Sequence, residues 1–595
     1  MSGSLHLDFR NTNSLWCSVL AETLHRCGVT HAVVSPGSRS TPLVFALANH
    51  PEIEAIPVLD ERSASFFALG LAKQSGRPVA LVCTSGTAAA NFFPAIIEAR
   101  ESRAPLIVIT ADRPPEMRDC GSGQTIDQQK LYGSHVSWYH ELATPEATPE
   151  RLRYLRQTIA HACKHGAHLG RGPVHINAPF RDPLPPITDK TASNLRGIIG
   201  EHFFAFLSQF PADGSADNNP RTDNYLRTDN NLRDMTNRLI VREKKRGVIV
   251  AGPDSGDCHA LARESGWPIL ADALSDTRHR MDGNAVIVSA YDMILRNERL
   301  AGELAPELVV CIGGWPTSKV LRAWLEKYDP EILMTGCGTQ NRDALHGRTK
   351  WFPRDAGELA TLMHVNPEYR DAAYVTAWRR AEISARATID KSLNATAGDD
   401  LFEPRATALL AQHLPRNTPL FVASSMPVRD AEYFWPANDR GTRFFHNRGA
   451  NGIDGTLSTA LGIAHGNVQP AVLLTGDLSL LHDTNGFLTA ASKNFRGSLT
   501  IVLINNNGGG IFGHLPVAQF DPPFEEYFAT PQNIDFARLC ATYGVEHVLI
   551  KNWSQFTKRI STLPSSGVRV LEIPTDRKRD AERRQSLLRA FSKTP

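Results

Sequence analysis

The chain has few cysteines, no long apolar run and almost no net charge, and each lack excludes something. Nine cysteines are scattered through 595 residues, and none forms a Cys-x-x-Cys pair. Neither a paired-cysteine zinc site nor a disulfide-stapled secreted scaffold is therefore encoded. Such a scatter reads as reduced, buried thiols in a cytoplasmic protein. No segment approaches the ~18 consecutive apolar residues that suggest a membrane span. Met1–Arg10 has no basic stretch followed by an apolar one, so no secretory leader is expected. Lys plus Arg number 64 against 62 Asp plus Glu, a formal net charge of +2. That balance argues against a polyanion-coating surface, and nucleic acid is not an expected partner. What remains is ordinary globular composition, 42% hydrophobic and 21% charged, which excludes wholesale disorder, collagen and a coiled-coil rod.

At roughly 100–200 residues per domain the length calls for several domains. Short β-branched runs alternate with helical periods from the start. Residues 32–34, 79–83 and 106–110 read as strands, and 40–48, 61–74 and 87–100 as helices. Such alternation predicts an α/β fold with a mainly parallel sheet flanked by crossover helices. A Pro-rich stretch at 182–186 closes this first unit. Continuous apolar runs at 247–251 and 308–312 predict buried strands of a second unit. Strands at 420–423, 471–475, 499–504 and 568–573 predict a third. The expected organisation is an N-terminal domain over 1–186 and a central α/β domain over 187–365. A polar insertion near 212–235 lies within the latter. A helical connector over 366–401 and a C-terminal domain over 402–595 complete the chain. In open α/β sheets ligands sit beyond the carboxyl ends of strands, so the residues just after each strand matter most.

Three sets of such residues stand out. Gly476-Asp477 ends one strand, and Asn505-Asn506-Asn507-Gly508-Gly509-Gly510 ends the next, one strand–helix–strand unit later. A carboxylate and an amide there can share one hard cation that keeps positions open for phosphate oxygens. Glycines let backbone N–H groups approach the anion. Both segments also read as ordinary turns. Glu61 opens a helix, where a carboxylate either compensates the helix dipole or serves chemistry. Finally, Arg39, Arg113, Lys319, Arg429 and Arg448 each follow a predicted strand. Five cations beyond strand ends suit a substrate with several carboxylates, and Arg binds carboxylates in bidentate fashion.

Gly-Asp followed one unit later by Asn-Asn resembles the metal–diphosphate signature of the thiamine diphosphate-dependent enzymes. Leu478 stands where many members carry a third-position glycine. The segments 35–43, 84–88, 110–116, 447–455 and 505–512 are similar to one branch of that family, which acts in menaquinone and phylloquinone biosynthesis. The resemblance implies a thiamine diphosphate-binding fold of three consecutive α/β domains. The N-terminal domain would take the pyrimidine, and the C-terminal domain the diphosphate and Mg²⁺ (or Mn²⁺). It implies Asp477, Asn506 and the carbonyl of Gly508 as metal ligands and Glu61 as the catalytic, cofactor-activating carboxylate. Ser425, Ile453, Gly476, Leu478, Ser479 and Ile511 are implied around the cofactor. Ser38, Arg39, Arg113, Gln124, Lys319, Arg429 and Arg448 are the implied substrate contacts, with Phe512 and Leu515 as an apolar wall. Gln124 is one of three glutamines in 120–129, and Val320 stands where some relatives carry a second basic residue.

The implied activity is that of a transferase of the transketolase type. It would decarboxylate 2-oxoglutarate and add the remaining succinyl-semialdehyde unit to isochorismate. Another thiamine diphosphate-dependent 2-oxo acid decarboxylase, or an acetolactate synthase-type enzyme, is the alternative. Sites in this family are shared between subunits, which implies a homodimer or a dimer of dimers.

Overall fold

In a computed structural model, residues 5–169, 172–209, 244–283, 285–336, 340–352, 355–363, 365–394 and 400–593 are described. The polar insertion expected near 212–235 lies outside them. The strands form three sheets of six. The first comprises β1 (His31–Val34), β2 (Glu54–Pro57), β3 (Val79–Cys83), β4 (Leu106–Asp112), β5 (Trp138–Glu141) and β6 (Val174–Pro179). The second comprises β7 (Gly247–Ala251), β8 (Ile269–Ala271), β9 (Ile287–Val288), β10 (Leu308–Ile312), β11 (Glu331–Thr335) and β12 (Arg348–Trp351). The third comprises β13 (Pro419–Val422), β14 (Arg443–Phe445), β15 (Ala471–Gly476), β16 (Ser498–Asn505), β17 (Glu546–Leu549) and β18 (Gly567–Pro574). Every pairing in them is parallel. Central strands such as β3, β4, β6 and β7 are buried at every residue. Helices cover both faces of such a sheet, which is why these strands read as unbroken apolar runs rather than alternating ones.

The strand orders carry the functional information. The first sheet runs β2-β1-β3-β4-β6-β5 and the third β14-β13-β15-β16-β18-β17, so the two share one topology. The second runs β12-β11-β10-β7-β8-β9, the doubly wound order of dinucleotide-binding folds read from the other edge. In the first and third sheets the order reverses between β1 and β3 and between β13 and β15. A crevice opens at such a switch point, beyond the carboxyl ends of the two strands. The sequence places Ser35–Arg39 and Thr84–Ser85 at the first crevice, and Ser424–Ser425 and Gly476–Asp477 at the third.

The first and third units pack through two helices, α1 (Glu61–Ser75) and α2 (Thr456–His465). A Cβ on Gly70 would fall 2.1 Å from the Thr459 carbonyl oxygen, and one on Gly462 would fall 2.1 Å from that of Phe67. Only glycine permits this approach. Asp60 caps α1 by accepting from the Arg62 and Ser63 N–H groups, and Asn485 donates to the same carboxylate at 2.7 Å. The expected helix over 87–100 is two helices, Thr87–Asn91 and Phe93–Glu101. Pro94 breaks it, because its nitrogen cannot donate and its ring collides with the preceding turn. Among the described residues no helix is long and apolar enough to cross a membrane.

Two fully buried histidines make the fold acid-sensitive. His175 lies 2.8 Å from Thr110 Oγ1 beneath the first crevice. His279 stacks on Phe444 at 4.2 Å and donates to the Ala273 carbonyl at 2.6 Å, joining the second unit to the third. Burial pushes both down to about 3 from an ordinary 6.5. Both are therefore neutral in the fold and charged in the unfolded chain below pH 6.5, where unfolding binds the extra proton. Their contribution is complete above that pH and falls by about 1.4 kcal/mol per pH unit for each histidine as pH drops toward 3, while buried carboxyls with raised values, such as Asp483 and Glu432, act in the opposite direction. Melting temperature should therefore fall less steeply below pH 6.5 in His175→Gln than in wild type, and identical slopes would contradict this origin.

Candidate active site

The third crevice is a cavity of about 430 Å³, within the range of cofactor and ligand pockets. Its wall comes from the carboxyl ends of β13, β15 and β16 and from the helices that follow them. Ser425, Ile453, Gly476, Asp477, Leu478, Ser479, Asn506, Gly508 and Ile511 all line it, together with Arg429, Arg448 and Phe512. Residues spread over almost ninety positions thus converge because three neighbouring parallel strands end there.

The chemistry of the donor set suits a metal-bound diphosphate. Asp477 is 4% exposed and accepts the Gly508 N–H at 2.7 Å. Burial pushes its carboxyl up to about 6, as expected of a desolvated carboxylate without a cation. The Asn506 amide nitrogen donates to Glu403 at 2.6 Å, while its oxygen is buried and has no hydrogen-bond partner. Such an orphan acceptor beside a carboxylate is a ready ligand for a hard cation. The Gly508 carbonyl accepts from Gly510 N–H at 2.9 Å and keeps its second lone pair. Gly508 has φ +144°, and a Cβ there would meet the Ala529 carbonyl oxygen at 2.4 Å, so this turn accepts only glycine. Helix α3 (Asp477–His482) starts at the wall, and its first-turn N–H groups suit an anion.

Ser425 holds φ +75° at the N-terminus of helix α4 (Met426–Phe434), and its carbonyl accepts from Arg429 at 2.5 Å. Strain of this kind in a non-glycine residue clusters at functional sites. Ser479 Oγ lies 2.8 Å from Thr456 Oγ1 and 3.2 Å from the Ile453 carbonyl oxygen, tying the Ile453 loop to α3.

Arg429 and Arg448 are partly buried and have no ion-pair partner among the described residues. Burial lowers the pKa of both. Arg429 and Arg322 push Arg448 the same way, while Asp272 opposes them. Arg322 is a cation that the sequence reading missed. It lies one turn beyond Lys319 in helix Lys319–Tyr328, and i,i+3 neighbours share a helix face. That spacing was the available signal. Lys319 itself is exposed at the start of this helix.

The remaining predicted residues gather elsewhere. No described residue of 1–186 lines the cavity. Glu61 sits in the first turn of α1 at the crevice of the first sheet, where its charge adds to the burial that raises the Cys83 thiol. Arg39 is 8% exposed and donates to the Phe180 carbonyl at 2.9 Å. Arg113 contacts Ser85 Oγ and donates to the Gln124 carbonyl at 3.1 Å. Burial lowers the Arg113 pKa, and Arg39 adds to the effect. Ser38 is exposed beside them. The three glutamines separate cleanly. Gln124 donates to the Ser85 carbonyl at 2.9 Å within this group, Gln128 is buried holding Gly86 N–H at 2.8 Å, and Gln129 pairs with Glu141 at 2.8 Å. Leu515 is 40% exposed and lines an adjoining depression with Pro516 and Arg577 rather than the cavity.

Family models match in three places. They are the thiamine pyrophosphate enzyme N-terminal TPP binding domain over residues 17–131, the middle domain of thiamine pyrophosphate enzymes over 217–422, and the C-terminal TPP binding domain over 426–573. The chain is 49% identical to a 2-succinyl-5-enolpyruvyl-6-hydroxy-3-cyclohexene-1-carboxylate synthase of Gloeothece citriformis, covering 99% of this chain and 100% of that one. A synthase of the same name from Nostoc sp. is 50% identical over 98% of each chain. One from Microcystis aeruginosa is 51% identical over 96% of this chain and 98% of its own. The chain belongs to this synthase family. Members of the synthase family are thiamine pyrophosphate enzymes, so the chain is an enzyme and its cofactor is thiamine pyrophosphate, the compound called thiamine diphosphate above. The three matches follow the three sheets in chain order.

Proposed function

We propose that the chain is a transferase that decarboxylates 2-oxoglutarate and joins the remaining succinyl-semialdehyde unit to isochorismate by 1,4-addition. The products are 2-succinyl-5-enolpyruvyl-6-hydroxy-3-cyclohexene-1-carboxylate and carbon dioxide. One observation carries the reading beyond the cofactor. Among the described residues Arg429 and Arg448 stand partly buried at the cofactor cavity with no carboxylate in ion-pair contact, and Asp430 and Asp272 act on them only from farther away. Unpaired buried guanidinium groups are costly unless an anion completes them. A simple 2-oxo acid decarboxylase brings one carboxylate, whereas 2-oxoglutarate and isochorismate together bring several.

When bound, thiamine diphosphate supplies the electron sink that makes carbon dioxide loss from a 2-oxo acid feasible. Asp477, Asn506 and the Gly508 carbonyl would hold Mg²⁺, or Mn²⁺, against its diphosphate. Ile453, Leu478 and Ile511 would press on its rings. Glu61 would share a proton with the ring nitrogen of its pyrimidine, which needs a carboxylate shielded from water. In one chain Glu61 and the cavity belong to different crevices. A second copy bringing its first crevice over the cavity of the third would unite them, so we infer a homodimer or a dimer of dimers. Ser38, Arg39, Arg113 and Gln124 would arrive with Glu61 and face Arg429, Arg448 and Lys319 across the substrates. Phe512 would keep water from the reacting carbon, with Leu515 at its outer edge.

The test is substrate choice combined with one arginine. Wild-type enzyme should consume isochorismate with 2-oxoglutarate and not with pyruvate. Arg429→Ala should lower kcat/KM for a carboxylate substrate by the loss of a charge-assisted bond, about 1.5–3 kcal/mol or roughly 10–150-fold. Unchanged kinetics for both substrates would remove Arg429 from the site, and equal use of pyruvate would favour the acetolactate synthase-type reading.

A further inference from the structure

In the wall of the cavity lies a buried ionic group that the proposed reaction does not use. Helix Glu403–His413 begins with Glu403, which is 3% exposed. Its Oε1 accepts the Asn506 amide nitrogen at 2.6 Å and Thr575 Oγ1 at 3.2 Å. Its Oε2 accepts Arg584 Nη2 at 3.0 Å. Arg584, from the C-terminal helix Arg577–Lys593, also grips Asp430 with two bonds of 2.9 Å. The Glu403 backbone N–H donates to Asp580 at 3.1 Å.

We propose that Glu403 is a positioning residue for the metal: it fixes the Asn506 amide with its oxygen free for a divalent cation. This rests on the metal–diphosphate reading of the cavity. A primary amide can sit either way round, and only one way offers an oxygen ligand. Rotated by half a turn, Asn506 would set its oxygen against a carboxylate oxygen at 2.6 Å, where two acceptors repel, and would aim its NH₂ at the cation. Glu403 Oε1, which already accepts from Thr575, disfavours that orientation. The orphaned, buried Asn506 oxygen is what this predicts. Gly510 completes the seat, since a Cβ there would fall 2.7 Å from the Asn506 nitrogen. Arg584 in turn holds Glu403 in place through its other carboxylate oxygen. Outer partners of this kind set metal affinity while touching neither metal nor substrate.

Glu403→Gln removes the charge and keeps the shape, and Asp430 keeps Arg584 paired. Binding of Mn²⁺ is read by electron paramagnetic resonance at saturating thiamine diphosphate, with the melting temperature of the apo-protein as the folding control. Wild type should bind Mn²⁺, and E403Q should bind it about 10–100-fold more weakly. At saturating Mn²⁺ the KM for 2-oxoglutarate should be unchanged. Asn506→Asp sets two carboxylates face to face and should also weaken binding. The double mutant E403Q/N506D restores a donor–acceptor pair and should bind more tightly than either single variant, a rescue that a merely structural residue would not give. Wild-type Mn²⁺ affinity in E403Q, or additive losses in the double mutant, would overturn the assignment. A wild type without Mn²⁺ binding would overturn the metal reading itself.

Discussion

Glu61→Gln is expected to abolish turnover while leaving thiamine diphosphate binding within a few-fold of wild type. The substitution keeps the length and polarity of the side chain and removes only its ability to take a proton. Proton transfer of this kind is worth about 10²–10⁴-fold in rate. Glu61 suits the role because α1 holds it rigidly. Asp60 caps that helix, Asn485 grips Asp60, and the Gly70 and Gly462 contacts lock α1 against α2. Calorimetric titration with the cofactor and steady-state rates on the same preparation read the two effects separately. Full activity in E61Q would remove Glu61 from the mechanism.

Asp477→Ala should abolish Mg²⁺-dependent cofactor binding. Asp477 is the carboxylate proposed to hold the cation, and it also holds Gly508 N–H at 2.7 Å, so its loss would free both the metal and the glycine turn. Unchanged cofactor affinity by calorimetry would count against the site. The two variants together test how the crevices combine. If the active site takes Glu61 from one copy and Asp477 from another, mixing two inactive variants regenerates intact sites. Random reassociation of dimers should recover roughly a quarter of wild-type activity, because half the dimers are mixed and each carries one good site. A site contained within one chain would recover none.

The alternation of strand and helix made the α/β class legible, because parallel strands buried on both faces are apolar throughout. The strand orders were not legible. The identity of the first and third topologies depends on which strands pair, and short strands such as Ile287–Val288 give no periodic signal. The proposed metal motif stands out in the sequence because its chemistry sits in a few adjacent residues at strand ends. Asn506 is one such residue, but its orienting partner Glu403 lies 103 residues earlier at the start of a helix, where a glutamate reads as ordinary dipole compensation. Arg322 was hidden for a similar reason, since its charge acts on Arg448, far along the chain. Gln124 is one of three local glutamines that the sequence cannot separate, because their different partners are set by the fold. Leu515, next to Pro516, turns away into an adjoining depression, which sequence proximity to Phe512 does not reveal.

The central claim is a single coupled reaction, and stoichiometry tests it most directly. The purified protein is incubated with thiamine diphosphate, Mg²⁺, 2-oxoglutarate and isochorismate, and carbon dioxide release and isochorismate loss are followed together. The account predicts that the two proceed mole for mole and that both stop when cofactor or metal is withheld. Carbon dioxide release from 2-oxoglutarate with isochorismate left intact would contradict it.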